Sequence, residues 1–281
     1  MVKDKALLAG SGLILVLFLF IFGRTTEPQK PIPVSVAAAP TFDIEQFIEK
    51  STAQLPLQQA IYVDSLKKLL HSTGTQSEQS AIAAQLANFW KDSVRQFDNY
   101  VYYLSKQAKL DNSEKILTFA GQLILTRLRG ENDEAKLAWQ ANEAIGLFDK
   151  AIALNPANED LKIALGSCYI FGKGRNGDPQ ETMKGIQELL AVVRRDSLNM
   201  KAQLMLGIGG FVSGQYDKAI ARLITVVKNE PGNVEAIAFL ADTYAAKGDK
   251  AEAIRWYEVS KKREDNPAYS KEVDERIKQL K

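Results

Sequence analysis

The sequence predicts an all-α protein, built from stacked helical hairpins that follow one N-terminal transmembrane helix. Three observations support this fold class. From residue 41 onward, apolar residues recur at helical spacing, without the period-two alternation of half-buried strands. Residues 200–233 and 234–267 align with each other at an offset of 34 residues. Residues 6–23 contain no charged side chain and are predominantly apolar.

Composition narrows the classes of function. The chain has 281 residues, of which 46% are hydrophobic and 25% charged, as in globular proteins. Residues 1–30 hold four Lys/Arg and two Asp/Glu, which leaves 32 residues of each sign in the remainder. Binding to nucleic acid needs a basic face, and this balance does not predict one. We therefore expect no nucleic-acid partner.

The scarcity of cysteine and histidine argues against metal sites, cofactors and several kinds of catalysis. Cys168 is the only cysteine, so an intrachain disulfide and a cysteine-based metal cluster are excluded. His71 is the only histidine and precedes a Ser-Thr-Gly sequence, which predicts a cation near a helix C-terminus. We expect Cys168 to be a small core residue. No constellation of side chains points to catalysis, so we predict a protein that is not an enzyme and has no cofactor or small-molecule substrate.

The uncharged segment 6–23 predicts a membrane anchor. At 1.5 Å per residue it spans roughly 27 Å, close to the thickness of the bilayer hydrocarbon. A cleaved signal peptide has a shorter apolar region and a cleavage site close behind it. Here Arg24 follows the segment, and the only Ala-x-Ala candidate for such a cleavage site lies well downstream at 37–39. We therefore expect an uncleaved single-pass helix.

Flanking charges give a weak indication of orientation. Lys3 and Lys5 precede the segment, while Arg24 and Lys30 follow it. A short tail before a large C-terminal domain favours a signal anchor whose C-terminal side is translocated. In a bacterium this places the protein in the inner membrane with its repeats in the periplasm. The alternative is a C-terminal domain that stays in the cytosol. Residues 24–40 contain four of the nine prolines and form a Pro/Ala-rich linker, a semi-rigid spacer.

The 34-residue repeat conserves size and turn residues between its two copies. Large, small and turn positions all match: Leu206 with Leu240, Gly207 with Ala241, Gly214 with Gly248, and Ala219 with Ala253. This pattern resembles the tetratricopeptide repeat family. The resemblance implies a right-handed superhelix of helical hairpins, in which each pair stacks on the next to bury its apolar face.

Two earlier units resemble the same repeat with more drift. They occupy residues 113–156 and 157–199, so repeats are predicted over 113–267. Residues 41–112 are predicted to be a degenerate helical region, with one further divergent pair at 76–110. Residues 268–281 are predicted to form a polar helix that caps the solenoid.

The resemblance also implies a binding surface. In this family the first helix of each hairpin lines a concave groove that binds other proteins or peptides. Carried over position by position, the groove residues are Asp160, Ile163, Ser167, Ile170, Lys201, Leu204, Ile208, Phe211, Glu235 and Asp242, with Ala238 and Ala245 at the remaining positions of the last repeat. The stripe of Leu204, Ile208 and Phe211 makes the middle of this surface apolar. The alternative is that Ile208 and Phe211 pack beneath the chain's own N-terminal helices.

Two further patterns have competing interpretations. Residues 172–177 match GxGxxG, but a helix precedes them and no strand is predicted, so a dinucleotide site is disfavoured. The same stretch resembles the longer inter-helix loop of Sel1-type repeats. Aromatic residues also cluster between 89 and 103. They either fill the N-terminal core or expose some rings to a partner; the residues are Phe89, Trp90, Phe97, Tyr100, Tyr102 and Tyr103.

These observations together predict a membrane-anchored scaffold or adaptor that binds other proteins in a bacterial envelope complex, of the kind that serves secretion or the assembly of cytochromes or the envelope. The alternative is a membrane receptor or co-chaperone for targeting signals, with its repeats in the cytosol.

Overall fold

The described part of the protein is helical throughout. The computed structural model describes residues 41–72, 74–176, 178–264 and 266–281, and the chain forms no strand within these ranges. The predicted transmembrane helix 6–23 and linker 24–40 lie outside the described residues. Among the helices of the described ranges, none combines the length and apolar character that crossing a membrane requires.

Four α-helices form the N-terminal part of the described residues. They are α1 (Ile44–Ala53), α2 (Leu57–Ser72), α3 (Gln76–Asn88) and α4 (Phe97–Asp111). A π-helical segment, Phe89–Val94, extends α3 and ends at Arg95, whose φ of 60° is left-handed. This turn reverses the chain, so that α3 and α4 pack along each other.

In the described ranges that follow, nine α-helices form four hairpins and a final single helix. They are α5 (Glu114–Leu128) with α6 (Glu134–Leu154), α7 (Glu159–Cys168) with α8 (Pro179–Arg195), α9 (Met200–Val212) with α10 (Tyr216–Asn229), α11 (Val234–Lys247) with α12 (Lys250–Arg263), and α13 (Pro267–Leu280). We refer to α5, α7, α9 and α11 as first helices, and to α6, α8, α10 and α12 as second helices.

The helix boundaries follow from local chemistry. Asn or Asp stands immediately before most of the helices, and its side-chain oxygen accepts a hydrogen bond from a backbone N–H of the first turn. Asn199 and Asn233 do so for α9 and α11 at equivalent positions of consecutive hairpins. Gly248 ends α11 with a φ of 89°, a conformation that glycine adopts without strain. Sequence alone therefore sets where each hairpin turns.

Glycine allows close contact within the hairpins. Gly166 of α7 and Gly185 of α8 face each other, and a Cβ atom added to Gly166 would lie 2.9 Å from the carbonyl oxygen of Gly185. At Gly207 of α9 an added Cβ would lie 2.7 Å from the side chain of Leu223 of α10. Backbones that approach this closely leave no room for a side chain, so the distance between the helices depends on these glycines.

Helix α13 packs against the hairpin that precedes it. Val273 and Ile277 of α13 are buried against Ala241, Ala253 and Tyr257 of the preceding hairpin. The other face of α13 is charged and exposed, which suits the end of a solenoid.

The aromatic residues between 89 and 103 belong mainly to the core. Trp90 is fully buried and Tyr103 is 3% exposed. Phe89, Tyr100 and the remaining rings are partly buried and pack against the same core. The structure therefore favours packing as the role of this cluster.

Gly166 offers a test of the close contact between α7 and α8. Gly166→Ala should lower the free energy of unfolding by about 1–3 kcal/mol, because the new methyl group overlaps a backbone oxygen that has little room to move. Urea unfolding of the purified chain, followed by circular dichroism, measures this.

Gly146 of α6 is the matched control, because an added Cβ at this position meets nothing within 4 Å. Gly146→Ala should leave stability unchanged or raise it by up to about 1 kcal/mol. Equal effects of the two substitutions would contradict the argument.

Candidate functional site

The four first helices share one lined surface. A cavity of about 520 Å³ runs across α5, α7, α9 and α11. We call it the first-helix groove, and its lining residues are Gln122, Leu125, Asp160, Ile163, Ala164, Ser167, Lys201, Leu204, Met205 and Glu235. Six of these ten were predicted from sequence: Asp160, Ile163, Ser167, Lys201, Leu204 and Glu235.

Two of the predicted groove residues lie in the core instead. Ile170 and Ile208 are completely buried, so neither side chain is available to a partner in this structure. Ile170 lies in a π-helical turn, Tyr169–Lys173, that continues α7. Such a turn holds one extra residue and rotates the side chains that follow it. As a result, Ile170 packs against Gly209 of α9.

Phe211 is half-buried and packs toward the C-terminal side. Its ring lies 5.9 Å from that of Phe239 on α11, in an edge-to-face arrangement, and 6.4 Å from that of Tyr216 on α10. The alternative predicted from sequence places Phe211 beneath the N-terminal helices. The neighbouring rings are instead Tyr216 and Phe239. The Phe211 ring stabilises the contact between successive hairpins.

The carboxylate of Asp242 is occupied by neighbouring groups. Arg276 of α13 forms an ion pair with it at 2.6 Å, and the Tyr257 hydroxyl donates a hydrogen bond to it. Burial, together with this hydrogen bond to a carboxylate, raises the pKa of Tyr257 to about 12. Asp242 thus holds the last helix in place and is not one of the residues that line the groove. Ala238 and Ala245 of the same helix are partly buried.

Charged pairs lie along the groove. Lys201 of α9 contacts Asp160 of α7 at 3.1 Å, and both side chains are largely exposed. Arg129, at the end of α5, forms an ion pair with Glu235 of α11, which is 106 residues away in the sequence. The Arg129 guanidinium also lies 4.0 Å from the ring centre of Phe171. The rim of the groove therefore presents both signs of charge around an apolar floor.

The first repeat contributes residues that sequence analysis missed. Gln122, Leu125 and Arg129 of α5 are spaced by three and four residues, as are Asp160, Ile163 and Ser167 of α7. Leu125 lines both the groove and a smaller adjoining cavity that also contacts Arg129. The signal was therefore present in the spacing. It was hidden because α6 has 21 residues, whereas α10 and α12 have 14 each, so this hairpin departs from the 34-residue period.

The GxGxxG stretch has a structural role. An added Cβ at Gly172 would lie 2.4 Å from the Cβ of Ala141, and one at Gly174 would lie 2.2 Å from the Thr182 hydroxyl oxygen. Arg175 donates hydrogen bonds of 2.7–2.9 Å to the carbonyl oxygens of Leu128, Arg129 and Glu131 at the end of α5. This segment fills space between hairpins and satisfies a helix C-terminus.

The single cysteine and histidine also have defined places. Cys168 is fully buried, and burial raises the pKa of its thiol. His71 lies in the last turn of α2, as predicted. Within the ranges that the structure describes, no group of three or more His, Cys, Asp or Glu side chains is placed to hold a metal ion.

Comparison with known proteins agrees with this geometry. A family model described as tetratricopeptide repeat matches residues 213–271, which include α11 and α12. This segment of the chain is similar to the tetratricopeptide repeat. No curated protein matches the sequence.

Solved structures extend the similarity in fold. A tetratricopeptide repeat protein from Parabacteroides merdae ATCC 43184 is 17% identical with a TM-score of 0.54, and the match covers 84% of this chain and 83% of that one. MamA is 21% identical with a TM-score of 0.46, covering 68% of this chain and 95% of that one. The type IV pilus biogenesis factor PilW is 21% identical with a TM-score of 0.45, covering 66% and 77%. The first of these shows that the described domain has a tetratricopeptide-like fold.

The position of Phe211 yields a prediction for stability. Phe211→Asp should lower the free energy of unfolding by about 2–4 kcal/mol, because it removes a packed ring and places a charge beside Phe239. Urea unfolding measures the loss. The neighbouring Val212 is 37% exposed, and Val212→Asp should cost no more than about 1 kcal/mol. If Phe211→Asp lowers the free energy of unfolding no more than Val212→Asp does, the ring is not part of the contact between hairpins.

Proposed function

We propose that this protein is a non-enzymatic scaffold that binds a segment of another protein in the first-helix groove. The supporting observation is the groove itself, to which four successive hairpins each contribute side chains. Tetratricopeptide-type helical repeats form extended surfaces of this kind because neighbouring units stack with a small rotation.

The chemistry of the groove suits a polypeptide. Ile163 and Leu204 are each 7% exposed and form an apolar floor for hydrophobic side chains. Asp160, Lys201 and Glu235 place both signs of charge at the rim, where they can pair with polar groups of a ligand. An apolar centre with a polar rim is the usual organisation of a protein interface.

The proposal includes an anchor and a compartment. Residues 6–23 would hold the scaffold in a membrane as one uncleaved helix, and residues 24–40 would separate it from the lipid surface. Lys3 and Lys5 favour retention of the N-terminus in the cytoplasm. The repeats would then work in the periplasm of a bacterium, in an envelope complex such as a secretion or assembly system.

Leu125 offers the sharpest test of the groove. Leu125→Glu places a carboxylate in the floor and should reduce recovery of the bound partner by roughly tenfold or more, if this residue is an anchor of the interface. The measurement is crosslinking in native membranes, followed by affinity purification and quantitative mass spectrometry. Thermal melting of the purified variant establishes that the fold is intact.

Phe119→Glu is the matched control, because Phe119 lies on the same helix, is 54% exposed and does not line the groove. Lys201→Glu, at an exposed rim position, gives a second variant if Leu125→Glu unfolds. Equal partner recovery from wild type, Leu125→Glu and Lys201→Glu would refute the groove as the binding surface.

The proposed topology predicts the behaviour of fusions at the C-terminus. In a bacterial host, alkaline phosphatase fused after Lys281 should be active, and green fluorescent protein exported by the same route should be dark, because the C-terminal side is translocated. The intact mass of the purified protein should include residues 1–40. Bright fluorescence with inactive phosphatase would support the cytosolic receptor instead, and a mass without residues 6–23 would exclude the anchor.

A further inference from the structure

A second cavity lies on the opposite side of α9 from the first-helix groove. It has a volume of about 430 Å³ and occupies the space between α8 and α10, with α9 as its floor. We call it the outer cleft. Leu206 and Gly210 of α9 face the outer cleft, whereas Leu204 and Met205 face the groove. One helix therefore separates two surfaces that do not share lining residues.

The α8 wall of the outer cleft is apolar. Met183, Ile186 and Leu190 follow each other at spacings of three and four residues, which places them on one side of the helix. Met183 is 39% exposed, although most of the apolar residues of α8 are buried. At 1.5 Å per residue this stripe is about 10 Å long, or two helical turns.

The α10 wall is basic. Lys218 and Arg222 lie one turn apart and flank the small, exposed Ala221. The Lys218 ammonium donates to the Gln215 amide oxygen at 2.8 Å, and the Arg222 guanidinium donates to the Gln203 amide oxygen at 2.9 Å. Both cations thus have neutral hydrogen-bond partners.

The absence of acidic partners distinguishes these cations from those of the groove. Among the described residues, no carboxylate lies within 4 Å of Lys218 or Arg222, and none lines the outer cleft. In the groove, by contrast, Lys201 and Arg129 are each paired with a carboxylate. The outer cleft therefore carries a positive charge that the domain itself does not neutralise, opposite an apolar wall.

We propose that the outer cleft binds an acidic amphipathic helix of a partner protein. Apolar side chains at positions i, i+3 or i+4, and i+7 of such a helix would cover the stripe that begins at Met183. Asp or Glu side chains beside them would face Lys218 and Arg222, and this complementarity fixes the orientation of the ligand. A helix satisfies its own backbone hydrogen bonds, whereas an extended segment would find no free backbone donors on helical walls.

This inference goes beyond the groove and does not depend on it. A protein segment in the first-helix groove and an acidic helix in the outer cleft would lie on opposite sides of α9. The scaffold would then bridge two partners through different residues, and the α7–α8 and α9–α10 hairpins would contribute to both surfaces.

A designed peptide tests the proposal directly. The probe is a fluorescently labelled helix of about four turns, with Leu along one stripe and Glu beside it. Its affinity for the full-length chain in lipid nanodiscs is measured by fluorescence anisotropy, with empty nanodiscs as background. The double substitution Lys218→Glu with Arg222→Glu should weaken binding by roughly tenfold or more. The same probe with Lys in place of Glu should prefer the double variant to the wild type.

Matched variants separate this cleft from other surfaces. Lys228→Glu, on the same helix but outside the cleft, should not change the affinity. Met183→Glu should weaken binding without lowering the melting temperature. If the double substitution to Glu unfolds the domain, Lys218→Gln with Arg222→Gln can be used instead. These substitutions remove both positive charges without introducing negative ones, and they should still weaken binding.

Several outcomes would overturn the proposal. They are a probe that does not bind, a scrambled peptide of the same composition that binds equally well, and an affinity that the double substitution to Glu leaves unchanged. If Lys201→Glu weakens the probe and the cleft variants do not, the peptide occupies the first-helix groove. That result would refute the outer cleft and leave the proposed function of the groove standing.

Discussion

The close approach of the two helices in the α7–α8 and α9–α10 hairpins is the constraint on which the rest of the domain depends. Gly166 and Gly185 bring α7 and α8 together without intervening side chains, and Gly207 admits the side chain of Leu223 between α9 and α10. A tight hairpin buries its inner faces but leaves apolar residues on its flanks. Only the neighbouring hairpins can cover these, and so one buried cluster continues from Ile48 to Leu240.

In this arrangement, first and second helices contribute to different surfaces. First helices lie side by side, and residues from each of them combine across repeats into one surface that no single hairpin could form. Second helices stand farther apart, and α9 lies at the bottom of the space between α8 and α10. Helix α9 therefore contributes its buried side chains to both surfaces, and its apolar character along the whole length follows from this position.

Much of the domain could be predicted from sequence, because large and small residues, turn residues and helix caps all recur at the same 34-residue offset. Asn199 and Asn233 mark equivalent helix starts, and the spacing of three and four residues located Ile163, Leu204 and their neighbours in the groove. These features are local, or recur at a fixed offset, and can therefore be seen in one sequence.

Some predicted groove residues do not line the groove, for physical reasons that the 34-residue period does not show. Ile170 lies in the core, within the π-helical turn that continues α7, and packs against Gly209 of α9. Asp242 was predicted to face a ligand, yet Arg276 neutralises it from 34 residues further on. That offset equals one repeat, so α13 occupies the place of another first helix. The loss of Asp242 from the groove is thus a consequence of how the stack ends.

The ion pair between Arg129 and Glu235 has a mechanical consequence. A stack of hairpins can change its curvature, because each unit is rotated slightly against the next and these small rotations add up. A contact between α5 and α11 connects the first and the last of the four hairpins. Both side chains are exposed, so the pair contributes at most about 1 kcal/mol. Thermal motion is therefore enough to open it, and the stack remains free to change its curvature.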